Sequence, residues 1–379
     1  MMKLKNLLPG LLFLSLAFTG CDDEIDITAP QKEVPVVYAI FNQNENTHYV
    51  KVNRLLQGDR SFDELAKDRS IAEYEDVKVE IVETTYTSEF NEEVDRQNAR
   101  YIECTPVEVT NKDSGTFYYP NQKVYQYEED DTLKMNEDNV YGVRITLPSG
   151  EEVTGFTPLV RTTSSTVKPG ICRPQNLTGC VVDFGSRSST TQNEFSAYSI
   201  VVTQPGFCRS FETSLTFRYR EVIDGQLSDP KDIVVDLGKE TFESTYDPRG
   251  GQAPASRTVR FVSDRFYQII ADRVPDLDDS PGVEKRILDS AFINVEFASE
   301  DLELYTQVSQ PSESLLEDKP PFTNLKGGGI GVVGSRNSVE IKLPLSTRTQ
   351  EELVNATVLG LTAQKGFCNT QEPNNDCYP

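Results

Sequence analysis

Several residue groups in this chain have the types and spacing that could carry chemistry. Cys21 follows an apolar run and the small pair Thr19-Gly20, which is where exported lipoproteins receive their lipid. Six further cysteines, Cys104, Cys172, Cys180, Cys208, Cys368 and Cys377, suit disulfides in an oxidising compartment. Gly329-Ile-Gly-Val-Val-Gly334 satisfies GxGxxG, a spacing that can cradle a pyrophosphate. Carboxylates gather at Glu128-Glu-Asp-Asp131 and at Asp276-Leu-Asp-Asp279, and calcium takes about six to eight oxygens from such loops.

Context weakens the last two. A dinucleotide fingerprint must follow a buried strand and open a helix. Here Lys319-Pro-Pro-Phe-Thr-Asn-Leu-Lys precedes it and the alternating Ser338-Val-Glu-Ile-Lys-Leu-Pro344 follows, so a tightly packed glycine-rich strand or bulge is expected and no nucleotide. Neither acidic cluster has EF-hand spacing, which leaves calcium as a guess centred on Asp276, Asp278 and Asp279 against ordinary solvated loops. Catalytic residues are not identifiable. The single histidine, His48, cannot build a multi-imidazole zinc site, alternates with polar neighbours and reads as a strand residue. The 60 acidic residues make any particular carboxylate pair for glycoside hydrolysis uninformative. Against 37 basic residues they give a net charge of −23, which repels nucleic acid.

The start of the chain is an address. Lys3 and Lys5 precede an apolar run from Leu7 to Phe18 that carries Pro9 and falls short of the roughly 18 residues of a membrane span. Residues 1–20 read as a signal peptide, with Phe18-Thr-Gly-Cys21 resembling a bacterial lipobox and Cys21 as the lipidated residue. The alternative is ordinary cleavage, with Cys21 in a disulfide. Residues 21–30 form an acidic tether whose Asp22, Asp23 and Glu24 are either a solvated spacer or an export signal. With Cys21 assigned to lipid, the other six cysteines can pair in about fifteen ways. Short separations favour Cys172 with Cys180 and Cys368 with Cys377, leaving Cys104 with Cys208.

The elements that must position these residues have a period of two. Val36 to Phe41, His48 to Leu56, Val77 to Tyr86 and Tyr101 to Thr110 are strand-like. Tyr141, Val143, Ile145 and Leu147 share a face before Pro148-Ser-Gly150 turns the chain back along Glu151 to Phe156. A capping box at Ser61 and Glu64 predicts a short helix. Residues 160–192 are rich in Thr, Ser, Gly and Pro and mark a boundary. Beyond it come strands at Phe195 to Thr203, Ser214 to Val222, Ile233 to Leu237, Thr258 to Val262 and Ala291 to Phe297. Helices are expected at Asp264 to Ala271, capped by Ser263, and at Asp301 to Gln307, capped by Ser299. The fold class is mainly β: an immunoglobulin-like β-sandwich over residues 31–165, then a second β-rich domain over 166–379 with accessory helices and a disulfide-bearing tail.

Phe292 to Phe297 with Ala298-Ser-Glu-Asp-Leu-Glu-Leu-Tyr-Thr-Gln307 and Pro321-Phe-Thr-Asn-Leu-Lys-Gly-Gly-Gly-Ile-Gly-Val-Val-Gly-Ser335, together with Val36-Val-Tyr-Ala-Ile-Phe-Asn42 and His48-Tyr-Val-Lys-Val-Asn-Arg54, resemble a Bacteroidota outer-membrane lipoprotein family known only as a domain of unknown function. The resemblance covers most of residues 30–345 and brings no catalytic residues. It implies a tether that leads to the cell surface and an accessory role beside a TonB-dependent transporter. A surface hydrolase and a structural adhesin are the competing functions.

If Cys21 is the anchor, Cys21→Ala releases the protein from the membrane fraction without unfolding the body. Fractionation of washed outer membranes checks this, and retention of the variant there contradicts the assignment.

Overall fold

A computed structural model of the chain describes residues 33–56, 60–88, 93–110, 112–130, 134–170, 180–187, 194–309, 322–370 and 377. Cys21, Asp22, Asp23 and Glu24 lie outside them, as does Cys172. The first strands are β1 (Pro35–Phe41), β2 (Thr47–Arg54), β3 (Lys78–Thr84), β4 (Arg100–Glu103), β5 (Thr105–Val109), β6 (Gln122–Glu128), β7 (Val140–Thr146) and β8 (Glu152–Pro158). They are followed by β9 (Val167–Pro169), β10 (Tyr198–Thr203), β11 (Cys208–Ile223), β12 (Gln226–Leu227), β13 (Lys231–Thr241), β14 (Ser256–Phe261), β15 (Val283–Ser299) and β16 (Ile330–Leu343). The helices are α1 (Phe62–Lys67), α2 (Arg69–Ala72), α3 (Ser263–Arg273), α4 (Glu300–Ser309) and α5 (Thr347–Asn355). The chain is mainly β, as its period-two patterning requires, and its sheets pack in a sandwich-like manner.

A nine-stranded sheet runs in the order β12-β11-β15-β16-β1-β2-β6-β5, with β13 also paired to β11. At one end it faces the sheet β4-β3-β7-β8 and encloses a first core around Val37, Val50, Ile81, Tyr141, Val143 and Val153. At the other end β10, β14, α3 and α5 contribute to a second core. There Phe184 contacts Tyr198, Phe217, Phe261 and Phe266 with ring centroids 4.4–5.7 Å apart. The β7–β8 hairpin has the expected faces, and Gly150 takes the left-handed turn position at φ 85°.

The cores change over at Leu159 and Val160. Residues 166–379 are nevertheless not self-contained, because Leu325 and Val333 fill the first core. The cause is β16. Its first half pairs in parallel with β1, Val36 opposite Ile330 through Phe41 opposite Ser335. Its second half pairs antiparallel with β15, Ala298 opposite Arg336 through Ala291 opposite Leu343. The GxGxxG segment runs into this strand, with Gly329 just before its first residue. Gly331 sits at φ 119°, where a Cβ would run into the carbonyl oxygen of Val37, and a Cβ on Gly334 would come within 3.0 Å of Leu302 Cβ. The glycines permit close strand and helix packing.

Three expected caps differ. Ser61 precedes α1 but makes no side-chain cap bond, whereas Asp68 accepts from Ser70 N at 3.1 Å to start α2. Ser263 is the first residue of α3, and its hydroxyl donates to the Ser196 carbonyl. Ser299 Oγ accepts from Ser335 N at 3.0 Å, reaching across to β16.

The cysteines also depart from full pairing. Cys368 and Cys377 are bonded with Cα atoms 5.6 Å apart, and Cys180 is disulfide-bonded. Cys104 and Cys208 are free and buried, one in each core, so the bridge expected between them is not formed. A disulfide needs Cα atoms within roughly 7 Å, and an even cysteine count carries no distance. Burial pushes both thiols up to about 12, which leaves them protonated and unreactive.

Unfolding the protein without reductant therefore exposes the Cys104 and Cys208 thiols, which resist labelling in the native state; intact-mass labelling that finds neither after denaturation contradicts this. Gly331→Ala should lower stability by roughly 2–4 kcal/mol, against at most about 0.5 for Gly115→Ala, which has open space around it. Urea unfolding of the two variants compares them.

Candidate functional site

The seam between the cores is built by polar side chains on β16. Ser335 Oγ donates to the Pro158 carbonyl at 2.7 Å and accepts from Val160 N at 3.1 Å. Asn337 Nδ2 donates to the Val160 carbonyl at 2.9 Å, while its Oδ1 accepts from Asn44 at 2.6 Å. Both residues are almost completely buried. Over this seam lies α4, admitted by Gly334, with Tyr305 packed edge-on against Tyr38 of β1 at 5.7 Å.

On one flank of α4 is a cleft of about 350 Å³, lined by Asn42, Ser210, Glu212, Lys239, Glu296, Leu302, Glu303 and Arg336 among others. Its buried charge is Glu303, 2% exposed, which accepts from Ser210 Oγ at 2.6 Å and Gln307 Nε2 at 2.7 Å and pairs with Lys239 Nζ at 2.6 Å. Burial alone would raise its pKa. The bonds from Lys239, Ser210 and Gln307 together outweigh that and hold the carboxyl below its ordinary value. The Ser210 proton is committed to Glu303, and a carboxylate held this acidic is a weak base toward a hydroxyl. The trio offers fixed charges and a helix-to-sheet tie.

On the other flank is a cleft of about 690 Å³, which adjoins a second of about 790 Å³ at Val94 and Phe156. Tyr86, Phe156 and Phe207 line them with Arg96, Arg209 and Arg249. Arg249 lies 4.0 Å from the Tyr86 ring centroid and is held by Asp247 at 2.6 Å. Phe207 sits at φ 58°, an uncommon backbone state for a bulky residue, with Arg161 5.2 Å from its ring. Such a channel of stacked aromatic and guanidinium surfaces can bind an extended polar ligand or a protein loop.

The residues singled out from sequence are dispersed. His48 is buried on β2 in the first core, its Nε2 3.1 Å from Glu129 Oε1. Glu129 also accepts from Met135 N at 2.9 Å and Asp130 from the Tyr127 hydroxyl at 3.0 Å, while Asp131 lies outside the described residues. The calcium guess at Asp276, Asp278 and Asp279 is not supported: Asp276 is paired with Lys365 at 2.7 Å. Among the described residues no three His, Cys, Asp or Glu side chains are grouped to hold a metal ion.

The sequence reading missed Glu303, Ser210 and Lys239, which approach only once three separate elements fold. It also missed Arg286. That guanidinium is fully buried, bonded to Glu221 at 3.0 Å, to the carbonyls of Pro275 and Lys365 and to Ser280 Oγ, next to the bridged tail. The only available signal was a charge interrupting the strand pattern before Ile287 and Leu288.

No protein-family model matches the chain, and no curated protein matches it. Among solved structures it is similar to the C-terminal globular domain of oligosaccharyltransferase from Pyrococcus abyssi, at 10% identity and a TM-score of 0.23, over 66% of this chain and 41% of that one. It is also similar to red sea bream transglutaminase, at 11% identity and a TM-score of 0.18, over 83% of this chain and 32% of that one. The chain thus spans under half the length of either structure.

Glu303 yields a pH-dependent prediction. Its folded pKa lies below the unfolded value, so its contribution to stability is present above roughly pH 4 and is lost as the pH falls through the folded value. Glu303→Gln should cost about 1–3 kcal/mol at neutral pH, with the deficit shrinking in acid below about pH 4. Urea titrations at both pH values check this, and an equal deficit at both contradicts it.

Proposed function

We propose that this chain is a lipoprotein of the Bacteroidota family it resembles, held by Cys21 on the outer face of the outer membrane. Its body is a binding or accessory subunit of a TonB-dependent transporter, with an immunoglobulin-like sandwich as its first half. The observation that carries this is the lipidation signal Phe18-Thr-Gly-Cys21, followed at once by Asp22, Asp23 and Glu24, ahead of a β-rich body. An anchored protein needs no membrane span, and among the described residues no helix is long and apolar enough to be one.

The seam geometry supports binding as the activity. The buried charges at Glu303 and Arg286 are committed to holding helix, sheet and tail together, whereas the aromatic and arginine-lined clefts beside α4 remain open to a partner. Confinement to the same membrane raises the effective concentration of a neighbouring barrel, so a contact that is weak in solution persists there.

Mild-detergent purification of the native lipoprotein, followed by mass spectrometry, should recover a transporter-like barrel in near-stoichiometric amount. Recovery of the protein alone, with hydrolysis of a glycan or peptide panel, would overturn this in favour of a surface hydrolase.

A further inference from the structure

We infer that the body carries a second, non-covalent contact with the lipid surface: the exposed aromatic patch formed by Phe62, Phe117 and Tyr119. The inference rests on the reading of Cys21 as an anchor and adds an orientation to it. Phe62 on α1 is 57% exposed, and Phe117 and Tyr119 are each 49% exposed. Two of these rings are in contact, and Tyr119 follows Phe117 by two residues on the same loop. Phe62 and Phe117 meet edge to face at 5.9 Å, and Tyr118 N donates to the Ala66 carbonyl of α1 at 2.9 Å, which fixes the loop on the helix. Lys112 lies 5.5 Å from the Phe117 ring centroid, and its ammonium donates to the Tyr118 carbonyl at 2.7 Å. Half-exposed rings with a cation at their margin suit the boundary between headgroups and acyl chains, where an amphipathic side chain keeps one end apolar and the other wet.

The position of the patch identifies its occupant. The described chain begins at Glu33, and Leu55 N donates to the Val34 carbonyl at 2.9 Å, so the end of β2 lies where the tether leaves the body. Leu55 is itself 41% exposed. Phe62 follows Leu55 by seven residues, within about 25 Å even for extended chain, and Cys21 precedes Glu33 by twelve, a reach of at most about 43 Å. The acidic Asp63 and Glu64 flank Phe62 on the same short helix, so the contact is shallow and apolar in kind, without net attraction to anionic lipid. Such a patch is too small to hold a free protein on a bilayer. For a body already tethered beside that bilayer it is sufficient to select one orientation.

The chain has no tryptophan, so Phe117→Trp and Phe62→Trp each place a single indole in the patch, and Val234→Trp places one on exposed strand β13 as a distal control. The mature protein is coupled through its Cys21 thiol to a maleimide phospholipid in phosphatidylethanolamine–phosphatidylglycerol vesicles containing brominated phosphatidylcholine; the free thiols of Cys104 and Cys208 are buried. Bromine should quench the Phe117→Trp and Phe62→Trp reporters at least twofold relative to unbrominated vesicles and leave Val234→Trp unchanged. Equal emission from all three reporters with and without bromine overturns the proposal, as does quenching of all three alike. A patch that faces a protein partner gives the first of these results. Because the lipid is supplied chemically, the outcome does not depend on lipidation in the cell, which the Cys21→Ala fractionation tests separately.

Discussion

The two-sided pairing of β16 is the constraint on which the rest depends. Up to Ser335 the strand bonds along β1, and from Arg336 it bonds along β15, so a single strand belongs to both halves of the nine-stranded sheet. Each half could bury an apolar face on its own layer, but the handover at Ser335 and Arg336 joins the two through one hydrogen-bonded strand. Ser335 and Asn337 then tie the linking segment at Pro158 and Val160 to the same strand. The seam is thus a continuous hydrogen-bonded sheet sealed by buried polar groups, each with a partner, as burial away from water demands. The clefts on either side of α4 take their shape from that rigidity.

Buried charge follows the same logic at two other points. Glu303 ties α4 to β11 and β13, and Arg286 ties β15 to Glu221 and to the carbonyls of Pro275 and Lys365. In both cases an ion that would be costly to bury alone has an opposite charge and hydrogen-bond partners around it. Each joins segments that periodicity alone would leave loosely placed: a short helix in the first case and an irregular tail in the second. The Cys368–Cys377 bridge closes over Val222 and Ile287 beside Arg286, so covalent and ionic restraint act on the same stretch.

Local features were legible in the sequence, and distant ones were not. The β7–β8 hairpin, the strand identity of His48 and the packing role of the glycine segment follow from alternation and flanking residues, which act over a few positions. The parallel pairing of Val36 with Ile330 spans almost the whole chain and has no local signature. Ser299 reads as a cap because serine before an acidic turn usually is one, yet a backbone donor from β16 claims its hydroxyl. Cys104 and Cys208 fit an even count, but parity says nothing about which core a residue enters. The candidate site was the least legible part, since Ser210, Lys239 and Glu303 come from three elements and each is ordinary in its own context.

The arrangement of β16 also sets an order of events. The chain emerges from its N-terminus, so β1, β2 and β3 exist long before Leu325 and Val333, which complete the core those strands line. Until the last part of the chain arrives, the first sandwich has an uncovered edge along β1 and a gap in its interior. Its closure waits on a contact of very high sequence separation, the kind that makes folding slow. A chain with this topology withholds its own keystone until the end of synthesis, so its first core is completed by the part made last.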